Sequence, residues 1–251
     1  DVRGLDVVLV LDSSGSMAGR PMAALRAGVD ALLGQLGPAD TVSVVRLDAE
    51  PRVLLEDGRG GETTLATFQD ALVPNGSTDL EGALRLAYQL AEARVAPDRM
   101  ARVVLFSDGG ANAGNTARDI IAGHAGDARS EGIYLVGVGL GEGFDDSMLD
   151  AVTDVGKGAY LFVDGPAEAQ RMFEERFVQL LELAALDVQV QLDLPPQWQL
   201  IVFHGEEVSG DPAEVQPQNL APSDQMVFNQ LVGTCDPAGV DGGEAIIVRV
   251  E

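Results

Sequence analysis

The run Leu11-Asp12-Ser13-Ser14-Gly15-Ser16-Met17 places one carboxylate and two hydroxyls at alternate positions directly after an apolar stretch, Val7 to Leu11. On a loop, that spacing turns Asp12, Ser14 and Ser16 into one space, with Gly15 allowing a tight path. Two further oxygen donors occupy comparable places: Thr78 in Asn75-Gly76-Ser77-Thr78-Asp79-Leu80, and Asp108 in Phe106-Ser107-Asp108-Gly109. Asp108 closes a second apolar run, and if the two runs are neighbouring strands the carboxylates converge. Every donor is a hard oxygen, with no thiol or imidazole among them. The chemistry this set supports is capture of Mg²⁺, with Mn²⁺ or Ca²⁺ as substitutes, rather than zinc or copper.

Such donors must be held at the ends of rigid elements, and the surrounding pattern supplies them. From Asp6 to about Leu186 short apolar runs alternate with helical periodicity, the signature of an α/β, Rossmann-like, doubly wound and mostly parallel sheet with helices on both faces. Val7 to Leu11, Thr41 to Leu47, Arg102 to Phe106, Ile133 to Val138 and Ala159 to Val163 read as strands, and Arg52 to Glu56 as an edge strand. Met22, Leu25, Val29, Leu32 and Leu36 fall on one helix face before Gly37-Pro38, and Leu80, Leu84 and Ala87 on another. Further helices are expected around Ile120 to His124, around Met148 to Val152, and after Pro166. In a doubly wound sheet ligands lie beyond the carboxyl ends of the strands where strand order reverses, which is where Asp12 and Asp108 fall. After Leu186 the period changes to two, with Val188, Val190, Leu192 and Leu194 on one face, and Trp198 to Val202, Met226 to Leu231 and Ala245 to Val250 add strand candidates. The expected organisation is a domain over 1–186 and a small antiparallel β unit over 187–251, an incomplete β-sandwich packed on the first.

The ordered pattern Asp12-x-Ser14-x-Ser16, then Thr78, then Asp108 resembles the metal-ion-dependent adhesion site of the von Willebrand factor type A family. The resemblance extends over Asp6 to Leu183, through the Gly76-Ser77-Thr78-Asp79-Leu80-Glu81 run and the Phe106-Ser107-Asp108-Gly109 turn. It implies Mg²⁺ bound directly by Ser14, Ser16 and Thr78, with Asp12 and Asp108 acting partly through water, and an open position filled by a carboxylate of a protein partner. The later alternating strands resemble bacterial extracytoplasmic members that carry a small β region, which implies a periplasmic, cell-surface or secreted setting. Two departures stand out. Ser77 occupies a place where many members have glycine, and Asp79 one where asparagine is common, adding a carboxylate beside the site. Met17-Ala18-Gly19-Arg20 lacks the adjacent acidic pair of a second metal position, so a single site is expected.

Other readings compete for the same residues. Thr78-Asp79-Leu80-Glu81 also reads as a helix capping box, with the variant that Asp79 caps while Thr78 faces the metal. A phosphatase with an aspartyl nucleophile wants a second Asp two residues after the first, where Ser14 stands. The glycines at 137, 139, 141 and 143 miss a dinucleotide fingerprint, because Glu142 or Phe144 falls at its third glycine. No Gly-x-Ser-x-Gly elbow is present, and Lys157 lies in no phosphate loop. His124 reads as a helix-face or core residue and His204 as a surface one.

Charge narrows the partners. The 251 residues carry 40 acidic and 16 basic side chains, a formal charge of −24, and Lys157 is the only lysine. A sequence-independent grip on nucleic acid phosphates or anionic membrane has no footprint here. With 46% hydrophobic residues the chain is too apolar for disorder, and no run approaches the roughly 18 apolar residues of a membrane span. Cys235 is the single cysteine, which excludes an intramolecular disulfide and a multi-cysteine zinc site. The opening at Asp1, without Met or an apolar leader, suggests an excised or processed piece. The expectation is therefore a metal-dependent protein-binding or adhesion module and not an enzyme. The alternatives are a structural or adaptor subunit, for example with an intracellular ATPase, and a Mg²⁺-dependent hydrolase.

Overall fold

The structure, a computed structural model, describes residues 4–96, 98–108, 113–114, 116, 123–124, 128, 132–141, 160–175, 185–204, 208–211, 214–215, 217–220, 227–234 and 245–250. The chain divides into two compact units, Asp1–Leu181 and Glu182–Glu251. The division falls before the change of period at Leu186, because Leu186 lies inside the first strand of the second unit.

Among its described residues the first unit has six strands: β1 (Gly4–Asp12), β2 (Thr41–Leu47), β3 (Arg52–Arg59), β4 (Arg99–Ser107), β5 (Ile133–Leu140) and β6 (Tyr160–Val163). They lie in the order β3-β2-β1-β4-β5-β6. Only β3 runs antiparallel. Three helices are described: α1 (Arg20–Gln35), α2 (Leu80–Glu92) and α3 (Pro166–Glu175). The helix expected around Met148 lies outside the described residues, as does most of the one around Ile120.

Alternation on β1 assigns the two faces. Leu9 and Leu11 pack into one core cluster with Leu25 and Leu32 of α1 and Phe173 of α3, whereas Val8 and Val10 join a second cluster with Leu84 and Ala87 of α2. A strand buried on both sides reads as an unbroken apolar run, which is what Val7 to Leu11 is. Strand order reverses about β1, with β2 and β3 on one side and β4 to β6 on the other. The crevice at the carboxyl ends of β1 and β4 is thus the place a fold of this kind leaves for a ligand.

Among the described residues of the second unit, six short strands pair two by two: β7 (Ala185–Val188) with β10 (Gln218–Leu220), β9 (Trp198–His204) with β11 (Asn229–Thr234), and β8 (Val190–Asp193) with β12 (Ile247–Val250). The single strand expected over 187–194 is two strands. They separate at Gln189, whose Nε2 donates to Val215 O at 2.8 Å, and each half pairs with a different partner.

Candidate metal centre

Asp12 ends β1 with its side chain fully buried. Its Oδ1 accepts the Ser14 N–H at 2.8 Å, and its Oδ2 accepts Ser107 Oγ at 2.6 Å. The second bond follows from strand register: Leu11 stands opposite Phe106, so one step further Asp12 meets Ser107. Burial pushes the Asp12 carboxyl up to about 6, against the lowering effect of the hydrogen bonds from Ser107 and Ser14, and the negative charge of Asp108 adds to the rise. Asp108 follows Ser107 at the end of β4, near enough for its charge to act on Asp12. Each Asp12 oxygen retains acceptor capacity, since a carboxylate offers about four lone-pair sites.

Ser14 precedes a turn of 3-10 helix, Gly15–Met17, that brings Ser16 back over it. Their hydroxyl oxygens lie 3.1 Å apart, Ser14 buried and Ser16 exposed. Gly15 sits within that turn and needs no left-handed backbone. The positive φ of the site, 73°, falls instead at Gly76 on the facing loop.

Two backbone hydrogen bonds staple these loops together: Asn75 N–H to Ser13 O at 2.8 Å and Gly15 N–H to Gly76 O at 3.1 Å. Thr78, two residues beyond Gly76 on the facing loop, is buried, at 1% exposure. The N-cap of α2 is Asp79, whose Oδ1 accepts Gly82 N–H at 3.0 Å. Thr78 is thus not the cap, and Glu81 does not close a capping box back onto it. Glu81 meets His124 instead, with Oε1 and Nε2 3.0 Å apart. Asp79 is committed to the helix, and its carboxylate fills the space where Gly114, at φ 64°, has no side chain.

The donor set fits a hard divalent ion. Two adjacent oxygens of an octahedral Mg²⁺ shell stand about 3 Å apart, as Ser14 Oγ and Ser16 Oγ do, and a buried carboxylate raised in pKa gains from a neighbouring cation. Among the described residues no three His, Cys, Asp or Glu side chains gather into a group that could hold a metal ion, so the candidate site draws on hydroxyl oxygens beside its carboxylates.

Two residues of the neighbourhood were not singled out by sequence. Ser107, which holds Asp12, was visible only through the parallel register. Arg46, whose Nε donates to Ser13 Oγ at 2.7 Å, was signalled by a charge near the end of a strand with no other charged residue. His204 is exposed, and Cys235 lies outside the described residues.

Residues 7–111 match the family model described as von Willebrand factor type A domain. Over 231 residues, 91% of this chain, the sequence is 26% identical to the Synechocystis sp. protein sll0103, an uncharacterised protein of whose length this chain spans 54%. A solved von Willebrand factor type A protein from Catenulispora acidiphila shares the fold with a TM-score of 0.63 at 18% identity, over 92% of this chain and 54% of that one. Proximal thread matrix protein 1 of the mussel byssus, solved with zinc occupying its MIDAS motif, gives a TM-score of 0.51 at 20% identity, over 69% of this chain and 45% of that one.

Proposed function

The first unit of this chain carries a von Willebrand factor type A domain, and from that premise we propose that it is a metal-dependent protein-binding module. Asp12, Ser14, Ser16, Thr78 and Asp108 hold one Mg²⁺, which presents its remaining position to a carboxylate of a protein partner. The observation that carries this reading is the buried Asp12 carboxyl, pushed up to about 6 and flanked by two serine hydroxyls 3.1 Å apart. A carboxylate so placed is unfavourable by itself and favourable against a cation. The zinc in the mussel protein's MIDAS motif supports a divalent ion on this fold, and an all-oxygen donor set favours Mg²⁺ here. The ion also supplies the positive charge that an acidic partner needs on a protein of formal charge −24.

Ser14 stands where a phosphoryl-transfer site of this geometry would want a second acid, so the site binds rather than catalyses. Purified protein saturated with Mg²⁺ or Mn²⁺ is expected to leave phosphate esters and nucleotides unhydrolysed; turnover abolished by Asp12→Ala would overturn this. Extracytoplasmic placement belongs to the same proposal. Among the described residues no helix is long and apolar enough to cross a membrane.

The direct test is melting and partner capture with Mg²⁺ or EDTA. An ion that binds only the folded state stabilises it by about 2.7 kcal/mol at a hundredfold excess over its Kd. Asp12→Ala and Ser14→Ala/Ser16→Ala are expected to lose both the shift and the partner. Melting and capture indifferent to EDTA in the wild type would sink the reading.

A further inference from the structure

The loop carrying Asp12, Ser14 and Ser16 is gripped from both neighbouring strands. On the β4 side Ser107 holds Asp12. On the β2 side the grip passes through Ser13, which is fully buried and directs its N–H and its Oγ at Leu47 O, at 2.8 and 3.3 Å. Ser13 Oγ also accepts Arg46 Nε at 2.7 Å, and a terminal nitrogen of Arg46 lies 3.0 Å from Asp48 Oδ2, the two charged side chains only 12% and 16% exposed. Asp48 carries the same run of contacts to the second loop, because its carbonyl accepts the Asp79 N–H at 3.0 Å, one residue from Thr78.

A guanidinium at this point of β2 has a large desolvation penalty, and an aliphatic residue would fill the space at less. What Arg46 supplies instead is a rigid fork of donors, one branch on Ser13 and one on Asp48. Asp48 neutralises it, so an arriving cation meets no uncompensated positive charge.

We infer that Arg46, oriented by Asp48, is a positioning residue for the cation: by fixing Ser13 on the β2 side it sets how Asp12 and Ser14, on either side of Ser13, face the site. This rests on the metal-site reading above and deepens it. Neither Arg46 nor Ser13 donates to the ion. Their effect is to hold the donors before the ion arrives, so that binding orders less of the loop.

The test is Mg²⁺ titration calorimetry on the full chain, with melting in EDTA alongside, for wild type, Arg46→Lys, Ser13→Ala and the double variant. Lysine keeps the charge and the Asp48 pair but loses the fork; Ser13→Ala removes the acceptor and leaves the ion pair intact, so it carries the test if Arg46→Lys folds poorly. Residues that orient metal ligands typically change affinity by about 10- to 100-fold. Each single variant is expected to weaken Mg²⁺ by that order, and the double variant no more than the worse single, since both break the same bond. A Kd within about twofold of wild type in both singles, with only the EDTA melting temperature lowered, would make the trio a fold contact and overturn the inference. So would losses that multiply in the double variant. A wild type that binds no Mg²⁺ would overturn the site reading and this inference together, whereas wild-type binding with unchanged variants overturns this inference alone.

Discussion

Asp12 is where the energetics of the site concentrate. Its folded-state pKa of about 6 lies above the unfolded value of 3.8, so between those pH values the folded protein binds more protons than the unfolded chain. Stability then falls as pH rises through that window, and the full penalty, about 3 kcal/mol for a shift of this size, stands above about pH 6. Asp12→Asn, neutral throughout, is expected to melt above wild type in EDTA near neutral pH and to converge with it only as pH falls below about 3.8. Excess Mg²⁺ near neutral pH should reverse the order. An Asn variant that melts below wild type by the same margin in EDTA and in Mg²⁺ would contradict the assignment. Thr78 offers a sharper contrast with its neighbour. Because Asp79 is the cap, Asp79→Ala should lower stability by about 1 kcal/mol with or without metal. Thr78→Val keeps the volume and removes the oxygen, so its deficit should appear only when Mg²⁺ is present. An equal deficit for Thr78→Val in both melts would remove Thr78 from the donor set. The five proposed donors could be picked out because three fall within five residues and the other two sit in short motifs of their own, Gly76-Ser77-Thr78 and Phe106-Ser107-Asp108. Ser107 could not, since its role depends on register between strands 95 residues apart.

At the scale of elements, legibility followed burial. Strands buried on both faces announced themselves, and β2 begins and ends where its apolar run does. The split between β7 and β8 was hidden, because Val188 and Val190 keep the alternation across Gln189 and only the partners change. The three-residue β10 is too short to show any period. The α1 helix illustrates a close approach that sequence could not reveal. A side chain at Gly28 would stand 3.1 Å from Phe106 and 3.3 Å from Phe173, whose ring centroids are themselves 5.4 Å apart. Gly28→Val is expected to destabilise by about 1–3 kcal/mol through overpacking. Denaturant melts would show that loss. Calorimetry on the same variant should return an unchanged Mg²⁺ affinity, since Gly28 lies in the layer behind the site; a weakened ion would mean that α1 packing reaches the donors.

For the whole molecule the dominant quantity is charge. At −24 the protein draws divalent cations toward itself over a distance set by screening, about 10 Å at 0.1 M salt and about 3 Å at 1 M. Mg²⁺ affinity is accordingly expected to weaken as NaCl is raised over that range, in wild type and in Arg46→Lys alike. Titrations at several salt concentrations would check it, and an affinity independent of salt would confine the attraction to the five donors.

The outermost strand β3 has a consequence of a different kind. Its pairing with β2 slips twice, between Val42 and Val44 and again between Val44 and Val45; Asp57 sits at φ 55°, and Arg52, Glu56, Asp57 and Arg59 line its length. A sheet margin can serve as a template for fibril growth when it presents a long, flat, uncharged row of amide groups. This margin is kinked and charged, so crowded copies of the protein find no surface along it on which to stack strand upon strand.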